Sequence, residues 1–281
     1  MPNPFQTATL PTNPNSRAAQ YLRANPTDPN AAAIEYIATQ PQAVWLETPN
    51  PTPIIQQILT PLTPTQLPVF VLYNIPHRDN NGASSRGAPN LTAYTQYIDA
   101  VTSACTLPSV FILEPDALAQ IPSLDPDYLE ERNQCLAYAI TQLSPTHHIY
   151  VDMGHDAWLP PETILPLYQA LATTANRGFS INVSNFRTDA ANALFAQALY
   201  EATAKPSITD TSRNGNGPAP DGSWCNPPNR RIGQLPLAIP PTESLDANLW
   251  IKHPGESDGP CHNAPPAGQF SPTLAAALVD N

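Results

Sequence analysis

Short apolar runs that end in a carboxylate, each followed by a helical pattern, recur along this chain and restrict the folds open to it. Val110 to Leu113 is a β-favouring run, long enough for a buried strand and too short for a helix. Glu114-Pro115-Asp116 stops it, because proline has no N–H to give a sheet ladder. Asp116 therefore stands just past the carboxyl end of a buried strand. Similar runs lead from Ala43 into Glu47, from Val69 into His77-Arg78-Asp79, and from Ile149 into Asp152. Ser207 leads into Asp210, and Leu249 to Lys252 leads toward Glu256 and Asp258. Strands alternating with helices imply a parallel sheet with right-handed crossovers. Active sites of such folds are built at the carboxyl rim. One aspartate there reads first as a turn or helix cap; several converging on one rim favour a site.

The pattern predicts strands over 43–46, 69–75, 110–113, 148–151, 178–183, 207–210 and 248–252. It predicts helices over 28–38, 53–62, 91–104, 129–143, 162–174, 190–202 and 273–279. The polar, proline-rich stretch 1–27 reads as an arm lying on a single α/β domain spanning 28–281, with loops over 80–90 and 211–241. Seven strands is one short of an eight-stranded barrel, and 281 residues suit one such domain.

A formal charge of −11 and the lack of a basic patch argue against nucleic acid, anionic membranes or an anionic ligand, and suit a neutral one. No window resembles a membrane span. The 36 prolines are spread along the chain and imply many stiff loops. Cys225 and Cys261 lie in Pro/Gly/Asn-rich loop sequence flanking the last strand, which suits a disulfide and an extracellular setting. Cys105 and Cys135 fall near helical patterns, as a second pair or as buried thiols. Asn90-Leu-Thr92 and Asn182-Val-Ser184 match the glycosylation acceptor pattern, the second inside a predicted strand. Met1-Pro-Asn-Pro lacks the basic and apolar regions of a secretory leader, so the chain reads as a mature form. It is read as a monomer.

The histidines show no metal-binding spacing, and His147-His148 reads as surface or hinge. The Gly-rich stretch 213–218 lacks a following Lys-Ser/Thr, and there is no Gly-x-Ser-x-Gly elbow. No metal and no cofactor is expected. Carboxylates and tryptophans are what the candidate rim offers. Trp45, Trp158 and Trp224 lie beside acidic strand ends or in loops, while Trp250, mid-strand, is equally a core residue. Flat aromatic faces cover sugar rings while carboxylates, Asn and Arg take the hydroxyls. Two carboxyls with separated pKa values are what glycosidic cleavage requires.

Five segments in order carry a resemblance. They are Tyr73 to Asp79, Glu114-Pro-Asp116, Asp152-Met-Gly-His155 with Trp158, Asp210 to Gly217, and Trp250-Ile-Lys-His-Pro-Gly-Glu-Ser-Asp258-Gly259. Together they resemble the signature segments of glycoside hydrolase family 6, the inverting endoglucanases and cellobiohydrolases. The resemblance implies a distorted seven-stranded parallel β/α barrel acting on cellulose, soluble β-glucan and cello-oligosaccharides. Asp116 matches the general acid, Asp79 the neighbour that keeps it protonated and helps to activate water, and Asp258 the candidate base. Asp152 matches a supporting aspartate. Tyr73 matches a tyrosine that lies under the distorted sugar, and Ser85 matches a serine holding the water. Trp45, His155, Trp158, Asn185, Trp224, Lys252 and Glu256 match sugar-binding positions.

The chain departs from the family at Asn80, where a cysteine is common. It also departs at Pro260, an added residue, and at Pro161, where cellobiohydrolases carry a plus-side tryptophan. The short 80–90 loop and the 23 residues after Asp258 leave little chain to roof a tunnel. Internal attack in an open cleft is therefore expected. The alternatives are a cellobiohydrolase acting from chain ends and an inactive carbohydrate-binding relative. A chitin hydrolase would need an Asp-x-x-Asp-x-Asp-x-Glu strand, which the sequence lacks.

Overall fold

The computed structural model describes residues 2–280, the side chains at 81 and 238–241 excepted. Met1 and Asn281, the outer ends of the two predicted segments, lie outside the described residues. Six strands take their places in chain order: β1 (Val44–Leu46), β2 (Val69–Leu72), β3 (Val110–Leu113), β4 (His148–Asp152), β5 (Gly178–Ile181) and β6 (Ser207–Asp210). β7 (Leu237–Thr242) turns back antiparallel on β8 (Leu245–Leu249), and β8 joins β6 as the seventh parallel strand. β7 corrects the expectation that 211–241 is loop throughout. The sheet curls until β1 meets the end of β8. There Ala43 N donates to Trp250 O at 3.0 Å and Trp45 Nε1 to Ile251 O at 2.8 Å. The result is a distorted, incompletely closed parallel β/α barrel.

Buried strands alternate their side chains between two layers. Phe70, Leu72, Phe111, Leu113, Ile149 and Val151 point outward under the helices, with Phe70 and Phe111 stacked at 5.6 Å. Val69, Val71, Val110, Ile112, Tyr150, Ile208 and Leu249 fill the barrel interior. Full burial of each such side chain contributes about 1.5–3 kcal/mol. Phe5 caps the interior, its ring 6.2 Å from that of Tyr150.

The helices are α1 (Arg17–Ala24), α2 (Ala31–Ala38), α3 (Thr52–Leu59), α4 (Leu91–Ala104), α5 (Leu129–Leu143), α6 (Pro161–Gln169), α7 (Asp189–Thr203) and α8 (Pro272–Asp280). α1 lies within the stretch read as an arm. Ser16 caps it by accepting from Ala19 N at 3.2 Å, and Ala18, Tyr21 and Leu22 pack with α2 and α8 around Trp250. Trp250 is 1% exposed, so it is core.

Two strand ends fall short of their apolar runs for one reason. β2 stops at Leu72 because Asn74 and Ile75 give their N–H groups to the Glu114 carboxylate. β8 stops at Leu249 because Ile251 and Lys252 give theirs to Asp210. β8 also starts earlier than its apolar run. Asp246, inside it, is buried against Arg177 (2.8 Å) and the Tyr150 hydroxyl (2.6 Å). His147 is buried edge-on to Phe111 rather than at the surface, and burial pushes its pKa down to about 4. Asn182 is fully buried with its amide donating to Asp210 O, which removes it as a glycan acceptor.

Candidate active site

The carboxylates at or just beyond the carboxyl rim around Asp116 divide by what they bond. Three are sunk beneath it and hold backbone. Glu114 accepts from Asn74 N (2.9 Å) and Ile75 N (3.1 Å). Burial lifts its pKa to about 7 against the pull of these bonds. Asp152 accepts from Asp116 N and Gly154 N, both at 3.0 Å, and from the Ser180 hydroxyl at 3.1 Å. Burial lifts it to about 6. Asp210 accepts from Ser184 N, Ser212 N, Ile251 N and Lys252 N at 2.9–3.2 Å.

The other three reach the cleft. Asp116 follows β3 through a backbone that L-residues rarely adopt, with φ of 47° at Glu114 and 72° at Asp116. The N–H bond to Asp152 holds this turn. Burial, then the charges of Asp152 and Asp79, push the Asp116 carboxyl up to about 8, so it carries its proton at neutral pH. Asp79 follows β2 with φ of 59° and accepts from Ser84 N at 2.7 Å. A Cβ at Gly82 would lie 2.4 Å from the Asp79 Oδ2, so only glycine leaves that carboxylate its place. Asp258, beyond β8, accepts from Arg213 Nη1 (2.8 Å) and Asn226 N (3.0 Å), with Lys252 Nζ at 3.3 Å. Burial alone would raise its pKa. The charges of Arg213 and Lys252 outweigh burial and hold it below the usual range.

Aromatic rings and polar groups complete the cleft, a cavity of about 370 Å³. Trp45 meets Tyr73 edge-to-face at 5.1 Å, and the Arg78 guanidinium lies 4.4 Å over the Tyr73 ring. Burial, then the charges of Asp116 and Asp79, raise the Tyr73 hydroxyl. Trp224, 61% exposed, Lys252 and Glu256 also line the cavity. Burial works to raise Glu256, but His253, Arg17 and Lys252 bring it below its ordinary value.

The structure thus brings Asp79, Asp116, Asp258, Trp45, Tyr73, Trp224, Lys252 and Glu256 to one lining, with Asp152 beneath. His155 and Trp158 stand apart on the turn after β4, rings 6.0 Å from each other, and burial pushes His155 down to about 4. Two expected positions differ. Ser85 is exposed and off the cavity lining; its neighbour Ser84 lines it and holds Asp79. Nothing in two adjacent serines distinguishes them before the turn is known. Asn185 also lies off the lining, its amide donating to Val183 O at 3.0 Å. Sequence reasoning quoted Glu114, Asp210 and Arg213 without assigning them a task. Glu114 and Asp210 stood out as strand-end carboxylates, and Arg213 only as a member of the ordered segment 210–217. Cys225 and Cys261 form the expected disulfide, whereas Cys105 and Cys135 are buried free thiols.

An incompletely closed parallel barrel, with an acid held protonated beside an aromatic wall, is the architecture of a glycoside hydrolase. This chain belongs to the glycosyl hydrolases family 6, whose family model matches residues 5–281. Endoglucanase 1 of Streptomyces sp. (strain KSM-9) is 39% identical over 253 residues, 86% of this chain and 69% of that one. Endoglucanase A of Cellulomonas fimi is 37% identical over 76% of this chain, which spans about half (47%) of that relative's length. The endoglucanase Cel6 from Mycobacterium tuberculosis, solved with methyl-cellobiosyl-4-deoxy-4-thio-β-D-cellobioside, superposes with a TM-score of 0.93. It is 37% identical and 99% of each chain is covered. Relatives named exoglucanase or cellobiohydrolase include matches at 28–30% identity.

Proposed function

We propose that this protein hydrolyses internal β-1,4-glucosidic bonds of cellulose and soluble β-glucans, with inversion, as a secreted monomer. The observation that carries this reading is Asp116, a carboxyl kept protonated near neutral pH inside a cleft walled by Trp45 and Tyr73. Asp116 gives its proton to the leaving glycosidic oxygen, while a water attacks the opposite face of the sugar. The Asp79 charge keeps that proton on Asp116 in the resting enzyme, and the Asp79 carboxylate accepts the proton that the attacking water loses. Asp258, held low by Arg213 and Lys252, is a weak proton acceptor and orders its flank of the cleft. Asp152 positions Asp116 through its backbone. Tyr73 and Trp45 carry sugar faces, and Lys252, Glu256 and Trp224 the adjoining unit. The disulfide suits secretion. No helix among the described residues is long and apolar enough to cross a membrane.

Internal attack is supported by the short 80–90 turn and by the segment after Asp258, pinned at Cys261 and ending in α8. One observation favours a second reading, action from chain ends. Ala83 and Gly259 approach each other, with only 3.7 Å between Ala83 and a Cβ placed at Gly259. Carboxymethyl cellulose viscosity decides between them. A rapid fall relative to reducing ends released is expected; nearly unchanged viscosity with cellobiose as almost the sole product would establish chain-end action. Proton NMR of the first product should show the α-anomer, and an initial β-anomer would refute inversion.

A further inference from the structure

The cavity does not end at Trp45. Its lining continues onto Asn15 and Arg17 of the N-terminal segment, Glu47 just after β1, and Gly268 before α8. Arg17, the first residue of α1, donates through Nη1 to Gly268 O. Its other edge is less committed. Nε lies 3.5 Å from Glu256 and Nη2 lies 3.8 Å from Glu47, and the Arg17 and Glu47 side chains are 48% and 47% exposed. Both separations exceed the roughly 2.7–3.2 Å of an N–H···O bond. A guanidinium edge and a carboxylate standing just beyond contact offer a donor and an acceptor to a pair of neighbouring hydroxyls. The arginine excludes a metal cation, and the two carboxylates exclude an anion. A neutral polyol remains.

We propose that Arg17 and Glu47 form a further glucose-binding position beyond Trp45, for a β-1,4-glucan that runs past the sugar on Trp45 and over the N-terminal segment. It lies on the β1 flank of Asp116, away from Trp158 on the β4 flank. This position rests on the proposed function. It gives the N-terminal segment a share of the substrate and leaves that end of the cleft open to a continuing chain.

The test compares cellotetraose with cellopentaose and cellohexaose, using the whole chain and the variants Arg17→Ala and Glu47→Gln. Hydrogen bonds to charged groups are worth about tenfold or more in affinity when well formed. At an exposed edge, kcat/KM of wild type should rise about two- to fivefold when the added unit reaches this position. Glu47→Gln should lose most of that gain while hydrolysing cellotetraose like wild type, and Arg17→Ala should abolish it. The same measurement by calorimetry in an Asp116→Asn background reads binding alone. A gain with chain length that both variants retain overturns the proposal, as does the absence of any gain in wild type. If the Asp116→Asn proteins show the affinity gain and its loss while wild type hydrolyses nothing, the binding position stands and the hydrolase reading falls.

Discussion

The two flanks of the cleft treat their carboxylates in opposite ways. On the β2–β4 flank, Glu114 and Asp152 accept from backbone N–H groups and Asp116 faces the charges of Asp152 and Asp79; all three titrate above the ordinary range, Glu114 despite the pull of Arg78. On the β8 flank, Glu256 and Asp258 are surrounded by Arg17, Arg213, Lys252 and His253, and both titrate below it. Burial pushes every one of these groups upward, so it does not explain the split. Cations do. The first flank can hold a proton to give away, and the second holds fixed charge. The split thus follows from four basic residues on one flank and, on the other, from the Asp152 and Asp79 charges that add to burial at Asp116.

The largest test of that contrast is Asp116→Asn. General acid help is worth roughly 10²–10⁴-fold, so hydrolysis of unactivated glucan should fall by at least about two orders of magnitude with binding retained. Stability should move the other way. A carboxyl raised in the folded state adds stability below its unfolded pKa and loses it as pH rises through the folded value. For Asp116 that window runs from 3.8 to about 8. Asparagine, which never ionises, should raise the melting temperature at neutral pH and lose the advantage toward about pH 4. An unchanged melting temperature at both pH values would show that Asp116 is less strained than its surroundings imply.

On the paired flank the corresponding break is Arg213→Gln. Arg213 and Asp258 are each 5% exposed in their side chains, and removing one member of a buried pair costs about 3–5 kcal/mol. Asp258, losing its cation, should titrate higher, and the acid limb of the stability profile should flatten. Denaturant unfolding across pH reads both, and wild-type stability in this variant would mean that Lys252 and Asn226 suffice. The disulfide supports the same flank. Asn226, next to Cys225, exchanges two hydrogen bonds with Asp258, and Cys261 closes a separation of 36 residues. Replacing both cysteines by serine should cost about 3–4 kcal/mol in the chain-entropy model. It should raise KM more than it lowers kcat. A loss in kcat alone would place the disulfide's influence on Asp116 instead.

What the sequence revealed followed the same division. The strands were legible because they are buried on both faces and read as continuous apolar runs, as Val110 to Leu113 does. Their ends were not, because Glu114 and Asp210 draw off the N–H groups of neighbouring strands from positions distant in the chain. β8 was misplaced because its buried Asp246 is matched by Arg177, which no local pattern reveals. α1 was missed because its apolar face meets α2 and α8 only after folding. The carboxylates of the site were visible as strand-end residues, and their roles came from ordered segments. Which serine faces Asp79 depends on a turn with left-handed residues at His77, Asp79 and Asn80, which composition does not encode.

The smallest expected effect concerns the seam where the barrel is bridged. His253 places Nδ1 2.9 Å from Glu256 Oε1 and Nε2 2.6 Å from Ala43 O. Both partners accept, so both ring nitrogens carry protons and the ring is a cation. Burial opposes that charge, and Lys252 does too; Glu256 and the Ala43 carbonyl outweigh them and raise the pKa above 6.5. Arg17 faces Glu256 from the other side, and Glu47 faces Arg17. Below the unfolded pKa the tie is fully present, and it is lost as pH rises through the folded value. The ring then keeps one proton and must release either β1, which carries Trp45, or Glu256. KM of wild type should therefore climb as pH rises through the His253 value, separately from the fall in kcat expected as Asp116 loses its proton at about 8. His253→Gln retains a donor without the charge. It should show KM raised about three- to fivefold at neutral pH, the order of the difference between a charged and a neutral hydrogen bond, and no further climb. A variant whose KM still rises with pH as in wild type would move the titration to another group, and the cationic flank would then owe its order to Arg213 and Lys252 alone.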